Sequence, residues 1–295
     1  MKTILITGAT AGIGLETART LARSGHRVIL HGRNDSKTQK IVQSIREESG
    51  NNAIDYLIAD LYEPASIRAM VQRFYTRYTS LDVLINNAGA VLEKTREINS
   101  VGLEKTVMLN TIAPYMLAQL LMPALEASGD GRIINYSSAS YKVAARGAIG
   151  SRDFNFSAPM GAQSRYSRSK LFAIWLTLEQ ARELEERGSI VKSYVVHPGA
   201  VMTNFVQQGS KGFLVDAVYK SAAYLSRIME KYAPSCVPTV ADGAAPALAI
   251  VLADSAEDYR AGGFYGPAGE EEIPARFMEN ADRQALMDWL KSLAI

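Results

Sequence analysis

In the stretch RYSRSK (165–170) a phenol and an ammonium, Tyr166 and Lys170, stand four positions apart. Residues at that spacing share one face of a helix. A free phenol titrates at about pH 10 and exchanges protons poorly at neutral pH. A neighbouring cation favours the phenolate and lowers that value. The pair can therefore be an acid–base phenol with its activating cation, or two solvated side chains. The rest of the chain decides between them.

A second chemical signature opens the chain. TGATAGIG (7–14) places Gly8, Gly12 and Gly14 between an apolar run and a helical pattern. Glycine permits a tight turn and lets a phosphate approach bare backbone. The helix N-terminus that follows offers unpaired N–H groups and the positive end of a dipole. The spacing is GxxxGxG rather than GxGxxG, so its placement between strand and helix carries the phosphate reading. The next apolar run ends in HGRND (31–35). A site for NAD usually carries an Asp or Glu there for the ribose hydroxyls. Here Gly32, Arg33 and Asn34 stand instead, and a guanidinium grips a 2′-phosphate by charge-assisted bonds. NADP(H) is expected over NAD(H), with Asp35 the residue that could oppose it.

These residues need a scaffold, and the apolar pattern supplies one. TILIT (3–7), RVILH (27–31), AIDYLIAD (53–60), LDVLINNAG (81–89), GRIINYSS (131–138), SIVKSYVVHPG (189–199) and GGFYG (262–266) read as strands. Helical patterns at 15–25, 36–50, 63–78, 165–187, 211–232 and 279–293 lie between or after them. Continuous apolar strands alternating with helices predict an α/β fold, a doubly wound parallel sheet covered on both faces. Such sheets bind ligands beyond the carboxyl ends of their strands.

The 295 residues carry 47% hydrophobic and 21% charged side chains and a net charge of +2. That balance implies no electrostatic pull toward nucleic acid or anionic lipid. The single cysteine, Cys236, excludes an intramolecular disulfide. No repeat or linker divides the chain, so residues 1–295 are expected to form one domain. No set of metal ligands is assigned.

Taken in order, Gly8, Gly12, Gly14, NNAG (86–89), NYSS (135–138), Tyr166, Lys170 and HPG (197–199) make the chain resemble a short-chain dehydrogenase/reductase over nearly its whole length. VILHGRN, RYSRSKLFAIWLTLEQARELEERG, VHPGAVMTNF and the long gap from Ser138 to Tyr166 bring it closest to the retinol-dehydrogenase-like and WW-domain-oxidoreductase-like branch. The resemblance implies a Rossmann-fold oxidoreductase that exchanges hydride between a nicotinamide and a carbonyl or alcohol. It makes Tyr166 the proton donor, Lys170 its activating cation and a holder of the nicotinamide ribose, and Ser138, rather than Ser137, the hydroxyl that orients the carbonyl oxygen. It matches Asn110 to the family's helix asparagine, whose water passes protons from Lys170 toward solvent. A local feature agrees: four residues on stands Pro114, which has no N–H and should kink the helix, leaving the Asn110 carbonyl open to a water.

By the same register Gly8, Thr10, Gly12, Ile13 and Gly14 would hold the pyrophosphate side of the dinucleotide, and Arg33 and Asn34 the 2′-phosphate. Asp60 and Leu61 would edge the adenine, and Asn87, Ala88 and Gly89 would pass under the ribose. Pro198, Gly199, Val201 and Thr203 would hold the nicotinamide amide. Residues 205–240, with Phe205 foremost, are expected as an apolar substrate lid, and FNFSAPMGAQ (154–163) as the opposite wall. The apolar residues Leu171, Phe172, Ile174, Trp175 and Leu178 suggest a partner subunit, hence a homodimer or homotetramer. The chain opens at its first strand where the membrane-bound retinol enzymes carry an anchor, so a cytoplasmic location is expected. The alternative of another class is a non-enzymatic NADP(H)-binding sensor or scaffold. Such proteins typically lose the tyrosine or the lysine, and both are present here.

Overall fold

The computed structural model describes residues 1–92, 95–144, 152–199, 238–278 and 280–293. Val201, Thr203, Phe205 and most of the expected lid lie outside them. Eight strands form one sheet: β1 Thr3–Ile6, β2 Arg27–Gly32, β3 Ile54–Ile58, β4 Val83–Asn86, β5 Arg132–Tyr136, β6 Lys192–Val196, β7 Phe264–Gly266 and β8 Gly269–Glu271. Their order is β3-β2-β1-β4-β5-β6-β7-β8. All neighbours pair in parallel except β7 and β8, which are antiparallel. The strand order reverses between β1 and β4, the crevice where sheets of this kind take a ligand.

Side-chain alternation along the strands builds two cores. Leu5, Ile29, Leu84, Ile133 and Val195 face one side. Ile4, Ile6, Val28, Leu30, Val83, Ile85, Ile134 and Val196 face the other. A strand points successive residues to opposite faces, so uninterrupted apolar runs need helices on both. The second side is covered by α1 (Gly12–Arg23), α2 (Asp35–Ser49) and α7 (Val240–Leu252). The first is covered by α3 (Pro64–Tyr75), α4 (Lys105–Glu126), the short α5 (Tyr141–Ala144), α6 (Ala162–Glu186) and α8 (Asn280–Ser292). Among the described residues α4 alone is long and apolar enough to cross a membrane, and most of it is buried inside the fold.

Three elements differ from the sequence reading. The last strand turns back at its end to form β8, which the sequence pattern did not separate from a loop. Helix α7 went unread because VADGAAPALAIVL contains a glycine and a proline. Its start carried a legible signal: the Thr239 hydroxyl accepts from the Asp242 N–H at 3.2 Å and the Asp242 carboxylate accepts from the Thr239 N–H at 2.6 Å, a capping box. In α4 the disturbance upstream of Pro114 takes the form of a π-helical turn over Met108–Ile112, where the Ala113 N–H reaches back five residues to the Met108 carbonyl.

The aromatic face of α6 does not await a partner. Phe172 packs against Phe154, Phe156 and Trp175, with ring centroids 5.5, 5.7 and 5.6 Å away. The Trp175 indole N–H donates to the Phe277 carbonyl at 2.6 Å, and Trp289 of α8 lies 5.6 Å from Phe154. Leu171, Phe172, Ile174 and Trp175 are buried by this chain alone, and Leu178 is partly so. The apolar surplus from which a homo-oligomer was expected is core. Two residues of the expected substrate wall, Phe154 and Phe156, are buried in the same packing.

Candidate active site

Six strand ends meet the crevice, and the assigned residues stand on them or on α4 and α6 beside them. After β1, Gly8 and Gly12 adopt positive φ, 66° and 55°, which only glycine adopts readily. Gly14 is packed too closely for a side chain: a Cβ there would lie 2.4 Å from the Asn87 amide nitrogen and 2.6 Å from the Gly8 carbonyl. Thr10 and Ile13 are half-buried in the same turn. Helix α1 begins with no side-chain cap and no acid in its first turn, so its leading N–H groups face the crevice unclaimed by side chains.

Side chains brace this turn from beneath. The Asn87 amide nitrogen donates to the carbonyls of Thr7 and Gly8 at 2.8 and 3.3 Å and so closes the turn. The Thr7 hydroxyl accepts from the Ala88 N–H at 2.9 Å and donates to the Ile85 carbonyl at 3.3 Å. His31, which the sequence reading passed over, has Nδ1 accepting from the Gly8 N–H at 3.2 Å and Nε2 donating to the Ala59 carbonyl at 3.1 Å. Its own carbonyl accepts from Ala9 at 3.1 Å. One buried imidazole thus ties the ends of β1, β2 and β3 together, and burial pushes its pKa down to about 4. A histidine ending an otherwise apolar strand was the available signal.

At the end of β2, a Cβ on Gly32 would sit 2.2 Å from the Thr38 hydroxyl and 2.8 Å from Thr10, so the site has no room for a carboxylate side chain. The exposed Arg33 guanidinium lies 5.8 Å from the Tyr62 ring centroid. Asn34 caps α2, its side-chain oxygen accepting from the Lys37 N–H at 2.9 Å. Asp35 is exposed, and its carboxylate, after burial, helps to raise the pKa of the Tyr56 hydroxyl. After β3, the exposed Asp60 accepts from the Tyr62 N–H at 3.0 Å, while Leu61 packs its side chain into the core.

The other half of the crevice holds Tyr166, Lys170, Ser138 and Asn110. Tyr166 and Lys170 stand on one face of α6, both buried, with Lys170 Nζ 5.7 Å from the Tyr166 ring centroid. The ammonium donates to the Tyr136 carbonyl at 2.9 Å, and burial pushes its pKa down to about 8. Gly89 makes room for it: a Cβ there would lie 3.0 Å from both Lys170 Nζ and the Asn110 side-chain oxygen. Asn110 sits in the π turn. Its oxygen accepts from the Ala90 N–H at 3.2 Å and its nitrogen donates to the Ser169 hydroxyl at 2.9 Å.

Of the two adjacent serines, Ser137 is buried and donates to the Lys170 carbonyl at 2.8 Å. Ser138 is half-buried and accepts from the Ser140 N–H at 3.2 Å, which leaves its own hydrogen for a ligand. After β6, Gly199 at φ 70° donates its N–H to His197 Nδ1 at 3.2 Å, and the other imidazole nitrogen meets the Glu271 carboxylate at 2.8 Å. Pro198 lies between them, half-buried.

Comparison with known proteins points to one family. A family model described as short chain dehydrogenase matches residues 2–150. Human polyprenol dehydrogenase is 35% identical over 234 residues, 78% of this chain, which spans 66% of that relative's length. Mouse retinol dehydrogenase 14 is 31% identical over 97% of this chain and 84% of its own. A short-chain dehydrogenase from Sphingobium yanoikuyae, solved in complex with NADPH, is 25% identical with a TM-score of 0.65, covering 98% of this chain and 96% of that one. The chain belongs to the short-chain dehydrogenase family, in its retinol-dehydrogenase-like branch.

Proposed function

We propose that the protein interconverts a carbonyl and an alcohol on a lipophilic small molecule, using NADP(H), with Tyr166 as general acid and base. One observation carries this reading: Lys170 places a buried positive charge 5.7 Å from the Tyr166 ring, and its hydrogen bond goes to a backbone carbonyl, not to a carboxylate. Its charge is therefore left to act on the phenol, where it favours the phenolate and makes Tyr166 a proton donor near neutral pH.

The crevice fits a dinucleotide. The open start of α1 and the glycine cradle around Gly8 and Gly14 suit a pyrophosphate. Arg33 suits a 2′-phosphate, since Gly32 leaves no room for a competing carboxylate at the strand end. The nicotinamide, when bound, gives or takes the hydride. In the reducing direction the Tyr166 hydroxyl donates its proton to the substrate oxygen as the carbonyl carbon gains the hydride, and in oxidation it takes the proton back. The Ser138 hydroxyl donates to the same oxygen and orients it. Asn110 has its side chain taken up by Ala90 and Ser169, so the water-holding role falls to its main-chain carbonyl. The names of the retinol and polyprenol relatives support a long apolar substrate, and a cytoplasmic enzyme remains part of the proposal.

The test is a panel of apolar aldehydes, ketones and alcohols with NADPH and NADP⁺. Tyr166→Phe keeps the ring and removes the proton, so turnover should fall by roughly two orders of magnitude with NADPH affinity little changed. Near wild-type turnover would reject the assignment. Arg33→Ala should remove a preference for NADPH over NADH of about 10- to 100-fold, by weakening NADPH alone. Equal affinities in the wild type would reject the cofactor choice.

A further inference from the structure

Arg165 immediately precedes the catalytic tyrosine, and it is 2% exposed. Its guanidinium meets the Glu104 carboxylate at 3.1 Å, and Glu104 is 1% exposed. The same group donates to the carbonyls of Met160 and, at 3.2 Å, Thr95. A buried ion pair is a poor source of stability, because desolvation offsets the attraction. A cation in the first turn of a helix also opposes the helix dipole. Stability alone is therefore a weak account of a guanidinium at this position.

The start of α6 explains what it does. The N-cap is Gly161, with no side-chain cap and no acid in the first turn. Helix ends without caps fray. Tyr166 is the fifth residue of this helix, one turn from that end. Among the described residues Arg165 fastens the first turn to Glu104, Met160 and Thr95. Glu104 is the most substantial of them: it caps α4, accepting from the Thr106 and Val107 N–H groups at 2.7 and 3.0 Å. Helix α4 carries Asn110, so one ion pair links the helix of Tyr166 to the helix of Asn110. The segment 152–161 is fixed to the same corner. The Asn155 side chain accepts from the Glu104 N–H at 2.8 Å and donates to the Gly102 carbonyl at 3.1 Å, and Arg96 donates to the Phe156 carbonyl at 2.8 Å.

We infer that Arg165 and Glu104 form a positioning pair that holds Tyr166 in register with Asn110 and Lys170, so that the pair sets turnover rather than cofactor affinity. The inference rests on the assignment of Tyr166 as the acid–base group.

The test separates position from stability. In Glu104→Gln/Arg165→Met no buried charge is left unpaired, and the glutamine oxygen still accepts from the α4 N–H groups. This variant should melt close to wild type and bind NADPH within about twofold, yet lose turnover by roughly 10- to 100-fold, as small misplacements of a reacting group do. Arg165→Lys keeps the charge but not the fork that reaches these acceptors, and it should recover part of that loss. A folded double variant with kcat within about twofold of wild type overturns the inference, and so does a loss of kcat matched by an equal loss of NADPH affinity. Should the double variant not fold, Arg165→Lys decides alone, and wild-type kcat in it overturns the inference. Tyr166→Phe, measured beside them, reports on the underlying assignment: its failure to lower turnover sinks that assignment, whatever the pair does.

Discussion

The two halves of the crevice are built on opposite plans. Around Gly8, Gly12 and Gly14 the crevice-facing surface is backbone, and the side chains nearby, Thr7, His31 and Asn87, turn inward to hold it. Around Ser138, Tyr166 and Lys170 the crevice-facing surface is side chains, and the backbone serves to hold them. Lys170 is held by the Tyr136 carbonyl, and the Ser137 hydroxyl donates to the Lys170 carbonyl. The nucleotide half is therefore sensitive to added atoms or a lost brace. The chemical half is sensitive to the loss or displacement of a functional group.

His31 offers the strongest way to break the first plan. Burial holds its folded pKa at about 4, against an ordinary value of 6.5. Between those values the unfolded chain binds a proton that the folded one refuses. Stability from this group is thus fully present above pH 6.5 and falls as pH drops toward 4, by about 3 kcal/mol in all. His31→Gln can accept and donate as His31 does but cannot titrate. Denaturant unfolding at a series of pH values should show its acid slope flattened by about that amount. An unchanged slope would mean that the imidazole is not locked in its neutral form.

The same substitution made on both sides sharpens the comparison. Gly14→Ala pushes a methyl group against the Asn87 amide and the Gly8 carbonyl, neither of which can retreat without opening the turn. It should cost about 1–3 kcal/mol of stability and weaken NADPH binding by roughly 10- to 100-fold. Gly89→Ala meets the far end of a flexible lysine and an amide. There the methyl should move Lys170 aside, lowering kcat by about tenfold while weakening NADPH binding less than Gly14→Ala does. Calorimetric titration and steady-state rates on both variants read the contrast. Equal losses of affinity would erase it.

The fold, and the residues proposed here for the chemistry, each left a local mark in the sequence. Apolar runs of strand length, glycines at turns and the YxxxK spacing are all written within a few residues. The braces were not, because each depends on a partner far along the chain: His31 on Gly8 and Ala59, Asn87 on Thr7, Arg165 on Glu104. The excess of apolar residues on α6 was visible but not its cover, since Phe154, Phe277 and Trp289 come from three separate segments. Strand β8 is three residues of Gly and Glu with no apolar pattern, and only its pairing with β7 defines it.

The packing of α6 also decides what light can see. The chain has two tryptophans, Trp175 and Trp289, and both lie along the seam between α6 and the C-terminal helix, one bonded to the Phe277 carbonyl and the other tilted against Phe154. Their emission is a local gauge of that seam. The glycine turn and the strand ends around His31 contribute no tryptophan signal. An unfolding curve followed by fluorescence reports when α8 leaves α6, whereas far-ultraviolet dichroism averages over every helix. Coincidence of the two curves would say that the seam and the sheet come apart in one cooperative step.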